Sequence, residues 1–294
     1  KKNKKNEKMT RKNKKILVTG GEGMIGKELI ELLKQQEPFA EISVLDIKNG
    51  DDVRDFRTCV SYCEGVDEVY HLFGIKGSPY MTQKEPATFM QMLQGDANMI
   101  YAAQSEGVKK FLYTSSITVN YPDVDVYPAW VKSTAEKLIE AHKIEYPNGT
   151  KFTIVRPASV YGRFDDFKNK NAMVIPSLIS KSIQPYEKFL EIWGDGTQVR
   201  DFINSKDVAK GMIKCMDEMP EYPVNLCSGK GITIKKVAEL IAKQTNKKIK
   251  YIPIKNQIMG AQKRVMKKNY DFGELIDIET GIKEVIDYLK NDRT

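Results

Sequence analysis

Residues 15–26 read Lys15-Ile-Leu-Val-Thr-Gly-Gly-Glu-Gly-Met-Ile-Gly26, and the run Lys27-Glu-Leu-Ile-Glu-Leu-Leu-Lys34 follows directly. Four apolar or β-branched residues, a glycine cluster and a helix-forming run predict a strand, a tight turn and a helix. The glycines have separable tasks: Gly20 and Gly21 permit the turn, Gly23 lets a pyrophosphate approach the backbone, and Gly26 lets the helix lie close to the strand. The helix N-terminus then faces the phosphates with its unpaired N–H groups. The next strand, Glu41-Ile-Ser-Val-Leu-Asp46, ends on a carboxylate. At that position Asp46 accepts hydrogen bonds from adenosine ribose hydroxyls and repels a 2′-phosphate, so the expected cofactor is NAD rather than NADP. Lys48, two residues on, is the one nearby group that a 2′-phosphate would favour.

The chain has 294 residues, 41% of them apolar, enough for a large core with a smaller lobe attached. Its formal charge of +8 suggests nucleic acid until it is located. All of it lies in the first fifteen residues, so the body is neutral overall and no nucleic-acid partner is expected. Residues 1–14 are read as a disordered, solvated basic tail. No apolar run is long enough to span a membrane, and the basic start lacks the apolar region of a signal peptide, so a cytoplasmic location without membrane contact is expected. The cysteines at 59, 63, 215 and 227 form no C-x-x-C, and only His71 and His142 are available beside them. Neither a disulfide nor a metal is expected.

Further apolar strands follow at Glu68–Phe73, Phe111–Ser115 and Phe152–Arg156, separated by amphipathic runs such as Ala129–Glu145. This alternation predicts α/β architecture: a Rossmann-type, doubly wound parallel sheet covered by helices. After about residue 165 the pattern breaks into shorter pieces and a late helix, Ile234–Thr245. The expected division is a dinucleotide-binding domain over 15–165 with returning segments near 199–226, and a smaller, discontinuous α/β substrate lobe over 166–198 and 227–294.

A longer series of motifs carries a resemblance. It comprises Thr19–Gly26, Asp52-Val-Arg-Asp55, His71-Leu-Phe-Gly-Ile-Lys76, Gly95-Asp-Ala-Asn98, Tyr113-Thr-Ser-Ser116, Lys132-Ser-Thr-Ala-Glu136, Arg156-Pro-Ala-Ser-Val-Tyr-Gly162 and Trp193-Gly-Asp-Gly-Thr-Gln-Val-Arg-Asp-Phe202. In this order the chain resembles the extended short-chain dehydrogenase/reductase superfamily, in its NAD-dependent nucleotide-sugar epimerase and dehydratase branch, from about Lys15 to Lys290. The resemblance implies that Gly20, Gly23, Met24, Ile25, Gly26, Asp46, Asp52, Val53, Leu72, Phe73, Gly74, Lys76, Thr114 and Pro157 bind the cofactor. Asp52 and Val53 would flank the adenine, and Lys76 would lie near the nicotinamide ribose. Lys132 would hold that ribose, and Ser116, or Ser115 one position earlier, would hydrogen-bond the sugar hydroxyl being oxidised. Val174, Arg200 and Arg264 would contact the substrate, the two guanidinium forks gripping its nucleotide. The implied assembly is a homodimer or larger, paired through the helices around 95–106 and 129–145.

The informative departure lies four residues before Lys132. The family places a tyrosine there, whose phenolate takes the hydroxyl proton, whereas this chain has Pro128. Tyr127 is the neighbouring candidate, provided that Pro128 opens the helix and leaves Tyr127 outside it. Dehydratases of the family carry acidic residues after the active-site serine, where this chain has Ile117 and Thr118. The motifs most resemble the GDP-fucose synthase branch, whose epimerising cysteine and histidine would fall near Ile117 and at Met173. With those groups replaced, the expected chemistry is redox at C4 of a nucleotide-linked sugar, GDP-linked hexose or heptose, for surface polysaccharide synthesis. A 4-epimerase and a non-catalytic NAD-binding sensor are the alternatives.

Overall fold

The computed structural model describes residues 13–77, 79–123, 126–168, 172–253 and 261–291; the basic start over 1–12 lies outside them. Six parallel strands form the main sheet: β1 (Lys15–Thr19), β2 (Glu41–Leu45), β3 (Glu68–His71), β4 (Lys110–Thr114), β5 (Lys151–Pro157) and β9 (Val224–Leu226), in the order β2-β1-β3-β4-β5-β9. Strand order reverses between β1 and β3, which opens a crevice beyond their carboxyl ends, the place where such sheets bind ligands. The central strands are buried on both faces, as a parallel sheet covered twice requires.

Side-chain alternation along β1 divides the core. Ile16 and Val18 pack with Leu29, Leu33, Val208 and Met212 of α1 (Met24–Gln36) and α8 (Ser205–Glu218). Leu17 points to the other face, where Cys59 and Cys63 of α2 (Phe56–Cys63), Met99 of α5 (Met92–Ser105) and Ile139 of α6 (Val126–Glu145) meet Phe111 and Tyr113. All four cysteines are free and buried. Truncating a fully buried residue such as Leu29 to alanine costs about 2–5 kcal/mol. Short helices α3 (Pro79–Lys84) and α4 (Pro86–Met90) precede α5.

A second body of chain sits over the sheet's carboxyl edge. Its core combines α7 (Val174–Ser182), β7 (Phe189–Trp193), α9 (Ile234–Thr245) and α10 (Ile278–Asn291) through Ile179, Leu190, Val237, Ile241 and Ile282. Strand β7 pairs in parallel with β11 (Lys248–Ile252). Strand β8 (Val199–Asn204) pairs antiparallel with β10 (Gly231–Thr233) and parallel with β6 (Ser159–Tyr161) and β12 (Lys263–Arg264). The β8–β12 register sets Arg264 opposite Arg200. The Asp201 carboxylate holds this region together by accepting from the N–H groups of Ser228, Gly229 and Met266.

Candidate active site

The glycine turn is built for close approach. Gly20 has φ +69°, and a Cβ there would meet the Leu72 carbonyl at 3.0 Å; a Cβ on Gly26 would meet the Gly20 carbonyl oxygen at 2.5 Å. Helix α1 starts at Met24 with Gly23 as its N-cap, no side chain capping it and no acid in its first turn. Its terminal N–H groups are therefore available to an anion. Thr114 Oγ1 lies buried without a partner at the same crevice. The cradle fits a dinucleotide.

Two adjoining cavities share Leu72, Phe73, Gly74 and Ile75. Gly20, Gly23, Asp46, Lys48, Asp51, Asp52, Val53 and Arg54 line the first. The Asp46 carboxylate accepts from the backbone N–H groups of Glu22 and Lys48, each at 3.0 Å, which fixes it at the strand end. Lys48 Nζ donates to the Glu22 carbonyl. Asp52 is held by Arg54, whose Nε donates at 2.8 Å and whose backbone N–H donates at 2.9 Å. Arg54 is a lining residue that the motif reading passed over; its signal was its place inside Asp52-Val-Arg-Asp55.

Around the second cavity stand Met24, Ile25, Lys76, Thr114, Ser115, Ser116, Ile117, Thr118, Pro128, Lys132, Pro157, Met173, Val174, Arg200 and Arg264, among others. Its charged lining residues are all cationic: Lys76, Lys132, Arg200 and Arg264. Among the described residues no carboxylate, histidine or cysteine faces it. Lys76 reaches Asp165, 2.5 Å away, at the rim. Helix α7 adds an N-terminus, capped by Met173 without a side-chain bond and free of acids. Such a lining suits phosphate-bearing ligands.

The two serines have different commitments. Ser115 donates to Glu136 at 2.5 Å, and Arg156 clamps that carboxylate through Nε at 2.9 Å and a terminal nitrogen at 2.5 Å. Ser116 caps the 3-10 turn Ile117–Asn120 by accepting from the Thr118 N–H, so its own proton remains to be donated. Tyr121, just past this turn, bonds both the carbonyl and the N–H of Val265 and ties the turn to the strand carrying Arg264.

Pro128 does not open its helix. Helix α6 begins at Val126, so Tyr127 lies inside its first turn, 40% exposed and outside the cavity lining. At 100° per residue, Tyr127 and Lys132 project about 140° apart. The condition under which Tyr127 would swing inward is therefore not met. Pro128 itself lines the wall of this cavity. Tyr161 also borders the cavity, but its hydroxyl is directed at Gly281 of α10, where a Cβ would lie 2.2 Å away.

The sequence profile of the NAD dependent epimerase/dehydratase family matches residues 16–227. The chain belongs to that family. GDP-L-colitose synthase of Yersinia pseudotuberculosis is 25% identical over 95% of this chain and 99% of its own length. GDP-mannose 3,5-epimerase of Arabidopsis thaliana is 25% identical over 95% of the chain and 82% of its own. The fold matches UDP-glucose 4-epimerase of Thermotoga maritima, solved with UDP-glucose, with a TM-score of 0.82 at 22% identity over 95% of this chain and 100% of that one. A GDP-L-fucose synthetase from Naegleria fowleri, bound to NADP, gives 0.81 at 23% identity over 96% and 94%. The cofactor class of this family member is NAD, as Asp46 led one to expect. Among the described residues no helix is long and apolar enough to cross a membrane, and no cluster of three metal-ligating side chains occurs.

Proposed function

We propose that this protein is an NAD(H)-dependent oxidoreductase acting on the C4 hydroxyl or keto group of a nucleotide-linked sugar, with GDP as the nucleotide. The observation that carries the reading is the second cavity: a serine with a free proton and a buried lysine both line it, and its lining charges are all positive. The bound cofactor supplies the hydride acceptor or donor. Ser116 hydrogen-bonds the reacting oxygen, Lys132 holds the nicotinamide ribose, and Arg200 and Arg264 take the substrate's phosphates and ribose. Dehydration and 3,5-epimerisation require an acid or base beside the ring carbons, and Ile117 and Met173 offer none there. With Tyr127 outside the cavity, the hydroxyl proton leaves through Ser116 to water. The GDP assignment rests on relatives named for GDP-sugars.

The same reading divides the chain into a dinucleotide-binding body, completed by α8 and β9, and a nucleotide-sugar lobe. It also includes a homodimer through α5 and α6, where Tyr101, Trp130 and Ile144 are 51%, 63% and 76% exposed. A light-scattering mass of one chain would remove the dimer.

The deciding experiment releases bound nucleotide from the purified protein, then follows reduced-nicotinamide absorbance with added NAD or NADH and GDP- or UDP-sugars. Change with a GDP-sugar alone supports the proposal. Interconversion of sugars without net absorbance change makes it a 4-epimerase, and bound NAD with no conversion of any sugar makes it a sensor.

A further inference from the structure

A chain of buried polar side chains runs beneath Lys132. The Phe73 N–H donates to Thr19 Oγ1 at 3.3 Å, Thr19 meets His71 Nδ1 at 2.7 Å, and His71 Nε2 meets Asp96 Oδ1 at 3.0 Å. The other oxygen of Asp96 accepts from the Tyr113 hydroxyl at 2.6 Å and lies 3.5 Å from Lys132 Nζ. Lys132 also approaches the Phe73 carbonyl at 3.4 Å and the face of the Tyr113 ring. Thr19, His71 and Tyr113 are fully buried, Asp96 is 1% exposed and Lys132 7%. The proton pattern is self-consistent. A carboxylate only accepts, so His71 Nε2 carries a hydrogen and the Thr19 hydroxyl donates to Nδ1. Burial keeps His71 neutral by lowering its pKa, against the pull of Asp96. Burial pushes the Asp96 carboxyl up, but the Lys132 charge, with hydrogen bonds from His71 and Tyr113, overrides that and holds it below the usual carboxylate range.

A neutral acceptor would serve His71 and Tyr113 as well as a carboxylate does. A buried negative charge is expensive unless it is paired, and the positive charge within reach is Lys132. We propose that Asp96 is a positioning residue for the cofactor, fixing by its ion pair where the Lys132 ammonium stands at the cavity wall. With one ammonium hydrogen toward Asp96 and one toward the Phe73 carbonyl, the third is left for the nicotinamide ribose. This inference rests on the role given to Lys132 above. Where the family's tyrosine would have shared the lysine's charge, Pro128 leaves that duty to Asp96.

The groups facing Lys132 are Asp96 from α5, His71 from β3, Tyr113 from β4, and Glu136 one turn along its own helix, itself held by Ser115 and Arg156. Helix α4 presents apolar Phe89 to this side. Asp96 is therefore the counter-charge that orients the ammonium.

The test measures NAD affinity by calorimetry for the wild type, Asp96→Asn, Lys132→Met and the double variant, with melting temperatures alongside. D96N binds NAD about tenfold or more weakly than the wild type, the worth of one charge-assisted hydrogen bond. K132M binds weakly too, and adding D96N to it changes affinity no further. K132M also leaves Asp96 buried without its partner, so the double variant melts higher than K132M. This second readout stands even if D96N alone fails to fold. Unchanged affinity in K132M removes the lysine's role and the proposal with it. Weak binding in K132M beside wild-type behaviour in D96N, an additive double variant, or a double variant no more stable than K132M each overturns the role of Asp96 alone.

Discussion

The two cavities meet at Leu72–Ile75 yet differ in the charges that line them. The first carries Asp46, Asp51 and Asp52 beside Lys48 and Arg54; the second carries four cations and, among the described residues, no carboxylate. The difference matches what each end is proposed to hold. Ribose hydroxyls are donors that carboxylates accept, whereas diphosphates are anions that guanidinium and ammonium groups and helix N-termini attract. The carboxylate paired with the buried lysine, Asp96, lies behind the cavity wall rather than in it.

Six substitutions test the contrast. Ser116→Ala removes a serine hydroxyl with a free proton in the cationic cavity, and turnover of a GDP-sugar should drop about 10²–10⁴-fold with NAD affinity intact. Equal losses in Ser115→Ala would instead put the reacting hydroxyl one position earlier. Next in size, Arg264→Met or Arg200→Met should raise the KM for the sugar nucleotide about tenfold to a hundredfold, since each removes a charge-assisted bond of about 1.5–3 kcal/mol. A fall in kcat alone would place the guanidinium groups at the chemistry instead. At the acidic end, Asp46→Ala should narrow the preference for NAD over NADP by about tenfold, measured as the ratio of the two dissociation constants. No narrowing would mean that Lys48 and Arg54 already govern the choice. The smallest effect is expected for Tyr127→Phe, with turnover within about twofold of wild type; a large loss would show that the start of α6 rearranges when substrate binds.

Much of the first cavity was legible in the sequence because it is local. A glycine turn, the strand before it and the helix after it are contiguous, and Asp46 is one strand further on. The second cavity was legible only through resemblance, since Ser116, Lys132, Arg200 and Arg264 come from separate elements. Two readings needed coordinates. Whether Tyr127 stands outside its helix depended on where α6 begins, and a proline three residues in does not mark that boundary. Asp96 was passed over although its signal was present: it shares the buried face of α5 with Met99 and Ala103, a carboxylate at core spacing.

The sequence alone determined the parallel sheet, the dinucleotide turn and the acceptor at the end of the second strand, because these follow from periodicity and from the steric freedom of glycine. Only the tertiary structure decided that Ser115 is spent on Glu136 while Ser116 is free, that Tyr127 faces outward, and that Asp96 lies against Lys132. Each of these depends on a distance between side chains 21 or 36 residues apart or on a helix start, and hydrophobic patterning carries no information about which polar atoms meet once the faces are packed.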